Sequence, residues 1–409
     1  MDIKTIPGGV TAAKGFKASG IHCGLRKNKT KKDLALIVAD VDCNAAGVFT
    51  TNKVFAAPVG VCRAHLEDGK ARAIICNSGN ANTCTEDGYI KANATCKKLA
   101  ETLGIEENNV LVSSTGVIGV PLPVEPILEG IPQLVSELGD TIEAGEAAAI
   151  AIMTTDTRKK EYAVEYTTAD GKTVHIGGIC KGSGMIQPNM ATMLSYITTD
   201  AAVSSCALKK ALKECADLTF NMVSVDGDTS TNDSLIVMAS GLAGTDMIEC
   251  GTPAYDEFKA ALLTVCKYLA KSIAADGEGA SKLIECNVNN FSDYESARKL
   301  AKSVINSPLV KTAMYGADAN WGRILCALGY AGVEFDTHKV DVRFRSDAGE
   351  FLVCENGMAY PFDEDFAKEV LTKTYIFIDI DMKSGSESAT AWGCDLTYEY
   401  VRINGDYRS

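Results

Sequence analysis

From Lys181 to Leu194 the chain reads K-G-S-G-M-I-Q-P-N-M-A-T-M-L, a glycine-rich turn running through a proline into a small residue and a threonine. These residue types suit a chain that cuts itself between Ala191 and Thr192. Pro188 fixes its own φ and pushes Gln187 away from helix, so the backbone arrives extended. Ala191 puts little bulk beside the carbonyl carbon that the Thr192 hydroxyl must attack. An N-to-O acyl shift followed by hydrolysis would free Thr192 as a new N-terminus. Its α-amine, with a pKa of about 7.7–8.0, then sits on the same residue as the hydroxyl and can serve it as base. A glycine-rich loop that merely feeds a buried strand is the plainer reading of the same letters.

An acyl-transfer site also needs donors for the oxyanion and a pocket. The turn Ser113-Ser114-Thr115-Gly116-Val117-Ile118-Gly119 is a nest of small residues that can offer a hydroxyl and backbone N–H groups. Lys181 precedes the cut and is either a fixed cation for a carboxylate or a solvated surface lysine. Glu278, between Gly277 and Gly279, either holds an amino group or caps a turn. Two other motifs fail. Gly171-Lys172-Thr173 resembles the end of a phosphate loop, but Tyr166 stands where its first glycine must lie. The acidic segment from Asp226 to Asp233 lacks a calcium loop's closing glutamate, since no glutamate stands anywhere from Asp226 to Met238.

Several elements must place these groups. Strands are expected over Asp33–Val41 and Ala73–Cys76, with shorter apolar runs at Gly47–Thr51 and Val59–Cys62, and over Val110–Val112. Helices are expected over Asp87–Leu103, Val124–Leu138 and Ile142–Met153. A hairpin should join Tyr162–Tyr166 to Val174–Ile176. Beyond Thr192 the pattern gives a strand, a helix over Ser205–Leu218, a strand-like Asn221–Val225 and an amphipathic helix over Tyr255–Ala274. A strand over Tyr375–Asp381 and a final one over Asp395–Ile403 complete the list of expectations. Strands and helices without regular βαβ spacing favour an α+β layered fold.

The 409 residues, 46% hydrophobic and 23% charged, suit two or three ordinary globular domains. The formal charge of −13 disfavours nucleic acid and anionic membranes as partners. No apolar run reaches the roughly 18 residues of a membrane span, and Met1-Asp2-Ile3-Lys4-Thr5 has no secretory character. The 15 cysteines are dispersed without C-x-x-C and the four histidines are scattered, so buried thiols in a reducing cytoplasm fit better than disulfides or structural zinc.

The whole segment from Lys181 to Leu194 resembles the self-cleavage segment of the ornithine acetyltransferase family, glutamate N-acetyltransferases of arginine biosynthesis. The resemblance extends from Ile6-Pro7-Gly8-Gly9-Val10 to the last residue. It implies a sandwich of mixed sheets flanked by helices, of the self-cleaving N-terminal-threonine acyltransferase type. An α fragment (1–191) and a β fragment (192–409) would intertwine, assemble two of each, and both contribute to one active site. Thr192 would carry the acetyl group from N2-acetylornithine to glutamate, with acetyl-CoA as an optional second donor and no metal or prosthetic group. The resemblance assigns Thr115 and Gly116 to the oxyanion, and Thr155, Lys181, Thr192, Glu278, Asn404 and Ser409 to substrate binding. Ser409 stands where the family more often has threonine. Ala317-Asp318-Ala319-Asn320-Trp321-Gly322-Arg323 matches a further family signature, with a structural role near the site. Two rivals use the same residues: an aminopeptidase or amidase that gives its acyl group to water, and an uncleaved module whose K-G-S-G loop binds an anion.

Overall fold

Period-two alternation becomes strand over much of the chain in the computed structural model, which describes residues 1–187 and 193–406. The strands are β1 (Ile3–Ile6), β2 (Phe16–Ile21), β3 (Leu34–Phe49), β4 (Lys70–Asn77), β5 (Val110–Ser114), β6 (Lys160–Thr167), β7 (Thr173–Lys181) and β8 (Leu194–Thr199). They continue as β9 (Val223–Ser224), β10 (Ser234–Ala239), β11 (Leu283–Phe291), β12 (Asp341–Ser346), β13 (Gly349–Glu355), β14 (Met358–Ala359), β15 (Tyr375–Asp381) and β16 (Glu387–Cys394). Helices α1 (Ala57–His65), α2 (Gly88–Leu103), α3 (Glu125–Ser136), α4 (Ile142–Ala151), α5 (Ser205–Leu218) and α6 (Pro253–Ala275) lie between them. The chain divides into two units: Met1–Gly182 with Pro188–Asn221 and Thr229–Leu269, and Ser183–Gln187 with Met222–Asp228 and Ala270–Ser409.

The first unit is built on a nine-stranded sheet in the order β1-β6-β7-β8-β10-β3-β4-β5, with β2 also paired to β3. Strand β8 runs antiparallel to β7, with Lys181 opposite Leu194, and parallel to β10. Strand β10 in turn lies antiparallel to β3. Successive side chains of a strand point to opposite faces, and here both faces are covered. Ile37, Ile74 and Tyr196 pack with Ala148, Ala149 and Ala151 of α4, while Leu36 and Ile75 pack with Leu99 of α2 and Ile127, Ile131 and Leu134 of α3. Each large side chain so buried is worth about 1.5–3 kcal/mol. The second unit carries a seven-stranded sheet, β14-β13-β12-β15-β11-β16-β9, in which β11 pairs parallel with β15 and antiparallel with β16. Mixed sheets with helices bear out the α+β class. Among the described residues no helix is long and apolar enough to cross a membrane, and no acidic, histidine or cysteine cluster could hold a metal ion.

Four expectations need correction. Val59–Cys62 is helical, within α1, because Pro58 starts a helix and Val59, Val61 and Cys62 then turn inward together. Gly47–Thr51 is not a separate run but mostly the end of the 16-residue β3, whose register against β4 shifts between Val38 and Cys43. The final strand over Asp395–Ile403 is a helix, Tyr398–Gly405, because β16 ends at Cys394 and Thr397 caps the Glu399 N–H. The Asn221–Val225 strand shrinks to β9. The cysteines are free thiols, most of them buried, as their apolar settings suggested.

His175 on β7 adds a pH-dependent tie within the first unit. Its Nδ1 lies 2.7 Å from Asp200 Oδ2, and its N–H donates to Asp200 Oδ1 at 2.7 Å. The hydrogen bond to Asp200, against the opposing effect of burial, and the Asp200 charge raise the imidazole pKa; Lys14 and Glu165 act more weakly. With the folded pKa raised, the stabilisation is complete below the unfolded value of about 6.5 and is lost as pH rises through the folded value. Scanning calorimetry should therefore show a steeper fall in melting temperature from about pH 6 to about pH 9 for the natural protein than for His175→Gln. Parallel curves would remove the pair from the stability of the fold.

Candidate active site

Strand β5 delivers the small-residue turn. Thr115 N–H donates to Asn77 O at 2.9 Å, and Asn77 Oδ1 accepts from the Gly79 and Asn80 N–H groups at 3.3 and 3.1 Å. Asn232 clamps the same turn, its Nδ2 donating to Ser114 O at 2.8 Å and Ala81 O at 2.6 Å. Gly116 has φ +135°, and a Cβ there would sit 2.8 Å from Asn80 N and from Gly79 C. Only glycine fits, so the turn has one shape.

Lys181, the last residue of β7, is buried rather than solvated, and its Nζ donates to Thr115 Oγ1 at 3.2 Å. A hydroxyl that accepts from an ammonium keeps its own hydrogen free to donate elsewhere, which is what an oxyanion requires. Burial lowers the Lys181 pKa against the pull of Asp156. Asp156 is buried too, and Lys160 Nζ reaches its Oδ1 at 2.6 Å. Burial would raise its carboxyl, but the Lys160 and Lys181 charges and the hydrogen bonds from Lys160 and Gly182 bring it down to about 2. Thr155, half-buried, belongs to the same loop after α4.

In the second unit, Glu278 N–H donates to Ser183 O at 2.8 Å, and Ser183 Oγ to Asp276 O at 2.6 Å. A Cβ on Gly184 would fall 2.3 Å from the Glu278 carboxyl carbon, so the backbone there lies directly against the carboxylate. Asn404 Nδ2 donates to Glu278 Oε2 at 2.8 Å. Asp226 accepts from the N–H groups of Met185 and Ile186 at 2.6 and 2.8 Å, holding Met185 at φ +56°. A side chain larger than glycine pays about 1–3 kcal/mol for that conformation. Tyr400 OH meets Asp226 Oδ2 at 3.3 Å from the same helix as Asn404.

Of the residues singled out in the sequence, the structure brings Thr115 together with Lys181 and Glu278 together with Asn404. Ala191, Thr192 and Ser409 lie outside the described residues. Asp156, Lys160, Asp226 and Asn232 were missed. Asp156 and Lys160 carry the signal of opposite charges four residues apart, and Asp226 stands out in the sequence only as a would-be calcium ligand. Gly171-Lys172-Thr173 closes the β6–β7 hairpin, with Gly171 N–H donating to Thr168 O at 2.9 Å, in keeping with its rejection as a phosphate loop.

The family model described as "ArgJ family" matches residues 17–409. The chain is 53% identical to "Arginine biosynthesis bifunctional protein ArgJ" of Caldanaerobacter subterraneus subsp. tengcongensis, over 100% of both chains. It is 50% identical to the protein of the same description from Thermotoga neapolitana, over 97% of this chain and 99% of that one. A crystal structure of arginine biosynthesis bifunctional protein ArgJ from Bacillus halodurans is 43% identical, covers 51% of this chain and 97% of its own, and superposes with a TM-score of 0.49. The resemblance first drawn from the segment around Thr192 thus holds across the sequence: the chain belongs to the ArgJ family.

Proposed function

We propose that this acetyltransferase of arginine biosynthesis cuts itself between Ala191 and Thr192 and then moves an acetyl group from N2-acetylornithine to glutamate on the Thr192 hydroxyl. The Lys181–Thr115 hydrogen bond between the ends of β7 and the β5 turn is the observation that carries this reading. In the first half-reaction the Thr192 oxygen attacks the acetyl carbonyl and its proton passes to the α-amine. The C–N bond then breaks, and ornithine leaves with that proton. In the second, the amine of glutamate attacks the acetyl ester and Thr192 regains its proton. Thr115 and Gly116 would meet the oxyanion of both steps, and Thr155 and Lys181 the substrate carboxylate. Glu278, Asn404 and Ser409 would hold the amino end and the tail of the amino acid. Two α and two β fragments in the cytoplasm, with acetyl-CoA as a second donor, complete the proposal.

Product analysis tests it. With glutamate present, acetylornithine should yield ornithine and acetylglutamate in equal amounts, with parallel double-reciprocal lines because an acetyl-enzyme separates the two steps. Acetate formed at the same rate without glutamate would instead favour the amidase.

Asn404 gives a separate check. Its hydrogen bond fixes Glu278, which would hold the amino end in ground and transition states alike, so Asn404→Ala should raise both KM values about tenfold, the worth of one hydrogen bond of ~1.4 kcal/mol, while sparing kcat. Steady-state kinetics of the cleaved variant decide it, and unchanged KM values would remove Asn404 from the site.

A further inference from the structure

Asp156 is a buried carboxylate for which the acetyl-transfer chemistry has no direct use. It gathers groups from three places. It accepts from Thr154 N–H at 3.0 Å in its own loop, from Lys160 Nζ at 2.6 Å at the start of β6, and from Gly182 N–H at 2.8 Å just past β7. Lys160 and Cys180 are opposite one another in the β6–β7 ladder, so the carboxylate sits where this hairpin's two free ends leave the sheet. One residue before Gly182 stands Lys181, with its ammonium on Thr115.

We propose that Asp156 is a positioning residue for the transfer reaction: by gripping Gly182 and balancing Lys160, it sets where Lys181 presents its charge to Thr115 and to the substrate carboxylate. The inference rests on the reading of Thr115 and Lys181 as active-site groups. Its physical basis is charge in a dry interior. Lys160 and Lys181 share Asp156 as counter-charge, with Cys76 and Asp233 also acting on Lys181. Breaking one member of such a cluster leaves uncompensated charge, whereas removing a matched pair costs much less. Without Asp156 the two ammonium groups compete, and Lys181 must shift or give up its proton; either way it holds a carboxylate less well.

Asp156→Asn keeps the size and an acceptor for Gly182 N–H but removes the charge. Its kcat/KM should fall about 100-fold, with the larger part in KM for the amino acid. Lys160→Met should cost less than about fivefold, and Asp156→Asn/Lys160→Met should regain about tenfold over Asp156→Asn alone. A merely structural role predicts instead that only the melting temperature falls in Asp156→Asn and recovers in the double variant, with natural KM and kcat in the folded protein. Should Asp156→Asn not fold, Asp156→Glu keeps the charge and displaces it by one methylene. Its melting temperature should then lie within a few degrees of the natural protein, with kcat/KM lowered about tenfold. Natural kinetics in Asp156→Asn or Asp156→Glu, or no recovery in the double variant, would overturn the proposal. Failure of the underlying reading shows elsewhere, as natural kinetics in Thr115→Ala and Lys181→Met.

Discussion

Thr192→Ala is expected to leave the chain as a single full-length band and to lower acetyl transfer by at least about 10⁴-fold, as loss of a nucleophile does. Both losses have one cause. In the proposed mechanism the hydroxyl that attacks the Ala191 carbonyl during cutting is the one that later attacks the acetyl carbonyl. Thr192→Ser should keep part of each activity, because serine supplies the same oxygen and, once cut, the same α-amine. N-terminal sequencing of the natural protein should read Thr192-Met193-Leu194 on the second fragment. A natural protein without that fragment, or a Thr192→Ala variant that still transfers acetyl, defeats the proposed mechanism.

Thr115→Ala is expected to lower kcat by about 10²–10³-fold, some 3–4 kcal/mol, in correctly cleaved protein. Lys181 Nζ points its hydrogen at Thr115 Oγ1, so the threonine hydrogen is the one left for a developing oxyanion. The turn itself should survive, because Asn77 and Asn232 hold it through backbone groups and Gly116 fixes its shape. Thr115→Ser should restore most of the rate. A loss below tenfold in Thr115→Ala would place the oxyanion elsewhere.

Elements with strong local patterning were legible in the sequence. The helix Ser205–Leu218 and the strand Tyr375–Asp381 fall where the pattern put them. Phe258, Leu262, Val265, Leu269 and Ile273 are all buried along α6, as their spacing demands. Short runs misled, because four apolar residues such as Val59–Cys62 fit either period until a cap or a proline decides. The tail failed for the same reason: Leu396, Tyr398 and Tyr400 alternate over too few residues to outweigh the Thr397 cap. Within the site, Lys181 and Thr115 were named but their contact was not, since nothing local joins residues 66 apart. Asp156 and Lys160 showed only opposite charges four residues apart, a common surface pattern, and what sets this pair apart is its burial, which composition reports only on average.

The strand order also dictates a timetable. Between β7 and β3, both from the proposed α fragment, the sheet interposes β8 and β10, both from the proposed β fragment. Take those two away and the α fragment holds β1-β6-β7 apart from the strands around β3, with open backbone edges on each piece. The β fragment would keep a parallel pair with no neighbours on either side. Separately translated halves are thus poor folding units, each inviting aggregation through its edges. A gene split at codon 192 should not substitute for the intact one: the strands must arrive on one polypeptide, and the proposed cut before Thr192 would come at the end of maturation.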